Sequence, residues 1–172
     1  MADDPVDILV NNAGGVVSFA ALHESEPADW RKIVDLNLTS VFFGMRYIIP
    51  LMLASGKGGS VVNMSSIAGS VGISVAPAYS AAKAGVRILS KGAALAYATQ
   101  GVRVNTIHPG LIATPMVAEQ PKWATEGFLG NTPMKRMGSP MEVADAAVYL
   151  ASDEARFVTG AEIAVDGGYL AQ

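Results

Sequence analysis

Apolar residues recur along this chain with two different periods. Val34, Leu38, Val41, Met45, Ile48 and Met52 are spaced 4, 3, 4, 3 and 4 residues apart. That spacing predicts a helix over about Asp29 to Met52 with one apolar stripe, narrow enough for a helix–helix seam. Pro50 is expected to bend or end it. Ahead of it, Val6 to Val10 is a short apolar run closed by Asn11-Asn12-Ala13-Gly14-Gly15, the form of a strand buried on both faces. After the turn Gly56 to Gly59, Ser60 to Asn63 begins a second strand. Val102 to Ile107 alternates apolar and polar as a third, and Ile163 to Val165 reads as a fourth.

Between these strands the helical period returns. Tyr79 to Gln100 is rich in alanine and glycine. Gly85 and Gly92 each cost about 1 kcal/mol in helix propensity relative to alanine, so close packing against both is expected. Gly101 is placed to terminate the helix in the left-handed conformation. Ser139-Pro140-Met141-Glu142 is a capping box with proline at the first helical position, opening a helix expected to turn Ala144, Ala147, Val148 and Ala151 inward. Only residues 115–138 lose the pattern, and a connection of that length is expected to be functional. Its Met116, Trp123, Phe128, Leu129, Met134 and Met137 suit a lid over an apolar substrate, or else a satellite core packed under a long loop.

Strands alternating with helices imply an α/β fold of parallel strands with right-handed crossovers. The expected architecture is part of a Rossmann-like doubly wound sheet of about four strands, forming one domain over residues 1–172. Composition agrees, at 51% apolar and 16% charged residues with 18 glycines. A net charge of −3 gives no reason to expect a nucleic acid or an anionic membrane as partner. The chain has no cysteine, which removes disulfides and thiolate metal sites and fits a reducing cytoplasm. The start Met1-Ala2-Asp3-Asp4-Pro5 is acidic where a signal peptide is basic, and no uninterrupted apolar run approaches the roughly 18 residues of a membrane span.

The candidate chemistry centres on Tyr79 and Lys83, four residues apart and therefore on one helix face. An ammonium beside a phenol favours the phenolate and lowers its pKa, which would make Tyr79 a usable general acid/base. Ser66 follows the second strand, thirteen residues before Tyr79. Ligands of open parallel sheets bind beyond the carboxyl ends of the strands. Asn11 to Gly14, Ser66 and Pro109 to Thr114 all fall there. His23 and His108 have no acidic or nucleophilic partner at a telling spacing and read as structural.

N-N-A-G at Asn11 to Gly14, Asn37 in the following helix, Ser66 with Tyr79 and Lys83 as S-x12-Y-x3-K, and P-G-x-I-x-T at Pro109 to Thr114 stand in order. Together they closely resemble the short-chain dehydrogenase/reductase family, from about Val6 to the C-terminus. The resemblance implies hydride transfer between NAD or NADP and a secondary alcohol or ketone. It assigns Tyr79 to proton transfer, Ser66 to the substrate oxygen, Lys83 to the nicotinamide ribose and Asn37 to a proton relay. It places Asn11, Ala13, Gly14, Tyr79, Lys83, Pro109, Gly110, Ile112 and Thr114 along the cofactor, with no metal. It also implies a homo-oligomer, dimer or tetramer, built on the helices of 29–52 and 79–100. The apolar segment at Trp123 and Phe128 suggests a small apolar alcohol or ketone as substrate. The family's G-x-x-x-G-x-G loop has no counterpart in these 172 residues, so the expectation is an N-terminally shortened enzyme or a non-catalytic fragment serving oligomerisation.

Overall fold

β1 (Ile8–Asn11), β2 (Gly59–Met64), β3 (Val102–Pro109) and β4 (Glu162–Val165) form one sheet in that order, every pair parallel. The computed structural model describes residues 5–172; the acidic start, Met1 to Asp4, lies outside them. The strands are joined by helices, as parallel neighbours require. Consecutive residues of β2 and β3 point to opposite faces, which gives two cores. Val61, Val102 and Val104 pack with Val41, Met45, Met52 and Val86 on one face, and Val62 and Ile107 pack with Leu150 on the other.

The first long helix is a continuous helical path made of α1 (Pro27–Val34), a π-helical turn (Asp35–Thr39) and α2 (Ser40–Ala54). The expected stripe is correct at Val41, Met45 and Met52 but out of phase elsewhere. The fully buried line runs Ile33, Asn37, Val41, Met45, Ile49 and Met52, while Val34, Leu38 and Ile48 sit beside it. The π turn accounts for the phase change between Val34 and Val41, because its i→i+5 bonding inserts a residue and rotates the helix that follows. Pro50 does not end the path, which continues to Ala54. By length and average hydropathy Pro27–Ala54 is also long and apolar enough to cross a membrane, a test that core helices pass as well. Its buried residues form the core against the sheet instead.

α3 (Pro77–Tyr97) buries Ala78, Ala82, Lys83, Val86, Ser90 and Ala94 along one line. Gly101 stops the segment at φ 78°, as the sequence predicts. A Cβ on Gly85 would lie 2.7 Å from Leu38 Cδ2, so this glycine admits the π turn. Gly92 faces open space within the chain, and the expected close contact is absent there. Residues 115–138 are not structureless: they hold α4 (Pro115–Ala118) and α5 (Lys122–Asn131). The capping box is present at α6 (Pro140–Ala151), with Arg136 adding a bidentate pair to Glu142. The inward residues of α6 are Val143, Ala146, Ala147 and Leu150, whereas Ala144 and Val148 are exposed.

Candidate active site

Ser66, Tyr79 and Lys83 converge at the carboxyl end of β2. Ser66 is the N-cap of the short turn Ile67–Gly69, where its Oγ accepts from the Ala68 N–H at 3.1 Å. Ser66 and Tyr79 also wall the same two cavities side by side. Tyr79 sits in the first turn of α3, and one turn on, Lys83 is 2% exposed and donates from Nζ to the Met64 carbonyl at 2.8 Å. The helix supplies the spacing and the strand end supplies the serine, so the parallel crossover brings the three side chains together.

The expectation that Lys83 lowers the Tyr79 pKa is not met in this arrangement. Nζ lies 5.7 Å from the ring centroid and is engaged by the Met64 carbonyl. Burial dominates and raises the phenol above its ordinary value, opposed by the hydrogen bond with Ser66. The same burial pulls the Lys83 ammonium down to about 8. The unfolded lysine titrates near 10.5, so below pH 8 both states are protonated and the fold carries the full desolvation cost, roughly 3 kcal/mol. Between pH 8 and 10 the unfolded state holds more protons, and stability rises with pH. Above 10 the raised Tyr79 pKa reverses the trend. Urea midpoints are therefore expected to increase from pH 7.5 to 9.5 and to lose that increase in Lys83→Met; a flat parental profile would remove the buried ammonium from this account.

Asn37 is fully buried inside the π turn. Its amide donates to the carbonyls of Gly15 and Ile33, each at 2.9 Å, and its Oδ1 accepts from the Gly15 N–H at 2.9 Å. A buried amide left unpaired would cost about 1–3 kcal/mol, so the π turn and the Gly14-Gly15 loop fix each other. A Cβ on Gly14 would fall 2.8 Å from Asn37 Oδ1 and 3.0 Å from Lys83 Nζ. Glycine is thus the residue that keeps this wall of the site open.

A cleft of about 400 Å³ runs past Gly14, Ser66, Tyr79, Lys83, Pro109, Gly110, Ile112 and Thr114. Thr114 caps α4, and Ile112 bridges to Gly138, which ties the P-G-x-I-x-T loop to the segment before α6. Asn11 and Ala13 do not line the cleft. The Asn11 side chain donates to Asn63 Oδ1 at 2.7 Å across the β1–β2 ladder, and its Oδ1 abuts Gly44. Asn12 of the same motif lines the cleft instead, together with Pro140 and Val143 of α6, for which the sequence carried no binding signal.

A smaller cavity of about 90 Å³ opens beyond Ser66 and Tyr79, walled by Val16, Phe19, Ile73, Met116, Val117 and Phe128. Phe128 of the 115–138 segment lines this cavity, whereas Trp123 is 57% exposed and does not reach it. Val16 and Phe19 lie in an aperiodic stretch, so no sequence signal marked them. Within the described residues no cluster of three or more His, Cys, Asp or Glu is arranged to hold a metal.

Known proteins share this pattern. A family model described as Enoyl-(Acyl carrier protein) reductase matches residues 2–170. The NADP-dependent (R)-specific alcohol dehydrogenase of Lentilactobacillus kefiri is 48% identical over 173 residues, covering 98% of this chain and 68% of that protein. Cyclohexanol dehydrogenase of Acinetobacter sp. (strain SE19) is 44% identical over 162 residues, covering 94% of this chain and 63% of that protein. A solved structure from Burkholderia xenovorans, assigned as a short-chain dehydrogenase/reductase, has a TM-score of 0.90 at 41% identity, covering 98% of this chain and 65% of its own. The chain therefore spans about two thirds of the length of the relatives it matches. On fold, motif order and identity alike, it belongs to the short-chain dehydrogenase/reductase family.

Proposed function

We propose that this chain carries the catalytic half of an NAD(P)-dependent oxidoreductase that interconverts a secondary alcohol and a ketone, with Tyr79 as general acid/base. The observation that carries the reading is one cleft shared by Ser66, Tyr79 and Lys83 at the carboxyl ends of the strands. The wall left open by Gly14 fits a flat ligand, and Gly14, Lys83, Pro109, Gly110, Ile112 and Thr114 would hold the nicotinamide end of NAD or NADP. When bound, that cofactor supplies or accepts the hydride. Tyr79, neutral at pH 7, donates its proton to the ketone oxygen or recovers it from the alcohol. Ser66 donates a hydrogen bond to the same oxygen where charge develops. Lys83 orients the ribose, and Asn37 holds the relay end of the site through the Gly14-Gly15 loop.

The apolar walls beyond Tyr79 favour a small apolar alcohol or ketone, in keeping with relatives named for cyclohexanol and cyclopentanol. The test is a chimaera carrying the glycine-rich half of a full-length relative ahead of Val6, assayed on cyclic ketones with both nicotinamides. Activity on cyclohexanone-sized ketones is expected; no turnover on any ketone would overturn the reading.

We also propose a homo-oligomer, dimer or tetramer, through α2 and α3. Phe42, Phe43, Tyr47 and Leu51 of α2 are each at least 45% exposed, and Ile88 and Leu95 of α3 are 62% and 84% exposed. A groove of about 510 Å³ between the helices is floored by Gly92, Ala93 and Ala96, which gives the otherwise uncompensated Gly92 a packing role. Light scattering at micromolar concentration is expected to give at least a dimer and Phe43→Glu a smaller species; a monomeric parent would refute it. The absence of cysteine supports placement in the cytoplasm.

A further inference from the structure

His108, read from sequence as structural, is 1% exposed at the end of β3. On one side its Nδ1 lies 3.2 Å from Ser70 Oγ, and on the other its Nε2 lies 3.0 Å from Thr106 Oγ1. Burial holds the imidazole below its ordinary pKa, so it is neutral at neutral pH. Either tautomer serves both hydroxyls, since each hydroxyl can donate or accept.

These contacts place the ring across the base of the turn that carries Ser66. The turn begins at Ser66 and closes through Gly69 N–H to Ser66 carbonyl and Ser70 N–H to Ile67 carbonyl, each at 2.9 Å. Its far side is fixed to α3, where Ser65 Oγ donates to the Lys83 carbonyl at 2.9 Å and a Cβ on Gly69 would fall 2.8 Å from that carbonyl oxygen. Its near side is fixed to β3 by Ser65 N–H to the Ile107 carbonyl at 2.8 Å and by His108. Without the imidazole, nothing among these contacts ties the distal end of the turn, Ser70, to the sheet.

We propose that His108 is a positioning residue for Ser66: it clamps the Ser66–Ser70 turn to the end of β3 and so holds the Ser66 hydroxyl in place beside Tyr79. This rests on the reading of Ser66 as the donor to the substrate oxygen, but its test needs no turnover. The readout is the titration of Tyr79, followed by NMR of 13C-labelled tyrosine, because the Ser66 hydrogen bond opposes the effect of burial on that phenol.

His108→Ala is expected to shift the Tyr79 titration upward in the same direction as Ser66→Ala. The double variant is expected to shift no further than Ser66→Ala alone. Ser70→Ala, at an exposed position, removes one end of the clamp without opening the core and is expected to move Tyr79 in the same direction. His108→Asn, which keeps an amide near the Nδ1 position, is expected to restore much of the parental value. Amide exchange at Ala68 and Gly69 should quicken while Val61 and Val104 stay protected. An unmoved Tyr79 in both His108→Ala and Ser70→Ala, with those core amides protected, overturns the proposal, as does additivity in the double variant. Loss of ketone reduction in the chimaera with the clamp behaviour intact would strike the functional reading alone.

Discussion

Replacing Tyr79 by phenylalanine is expected to lower kcat of the completed chimaera at least ~10²-fold, the range that positioned proton transfer contributes, with the fold intact. The ring itself packs against the Ile33, Ala78 and Ala82 cluster, and phenylalanine keeps that packing. Only the hydroxyl is lost, and with it the single group placed to exchange a proton at the substrate oxygen beside Ser66. Burial keeps the Tyr79 pKa above its ordinary value, which fixes a direction for the pH profile. Ketone reduction needs the neutral phenol and should be flat from pH 6 to 8. Alcohol oxidation needs the phenolate and should rise with pH through that window. Near-parental kcat in the variant, or an oxidation rate that falls as pH rises, would sink the assignment.

The second large effect concerns residues 1–172 by themselves. This polypeptide is expected to bind neither NADH nor NADPH at micromolar concentration. The cleft residues reach the nicotinamide side, and no glycine-rich loop is present to seat a pyrophosphate on a helix N-terminus. The sheet offers a related liability. Among the described residues β1 pairs only with β2, and Ile8 and Val10 are 50% and 45% exposed. Apolar strand edges recruit other chains, so self-association through β1 is expected alongside the α2–α3 contact. Fluorescence titration with both nucleotides, with sedimentation run in parallel, decides the matter. Micromolar binding by a monodisperse species would show that the glycine-rich half is dispensable.

How far sequence reasoning reached depended on how local the cause was. The four strands, the α6 capping box and the stop at Gly101 follow from residues within a few positions of each other; the capping box and the stop stand where the pattern puts them, and each strand lies within two residues of its expected ends. Ser66, Tyr79 and Lys83 were readable because strand and helix geometry carry them to one place. The phase of the first helix was not, since the π turn exists to bury Asn37 against Gly15, 22 residues away. Nor was Asn11, whose amide meets Asn63 only once β1 and β2 pair in register. The sequence alone determined the four strands, the long helices, their parallel order and the motif positions at the carboxyl ends of the strands. Tertiary packing decided which side chains face the cleft, the pKa of Tyr79 and the use of His108, because burial and hydrogen bonds between distant segments arise only when the sheet assembles.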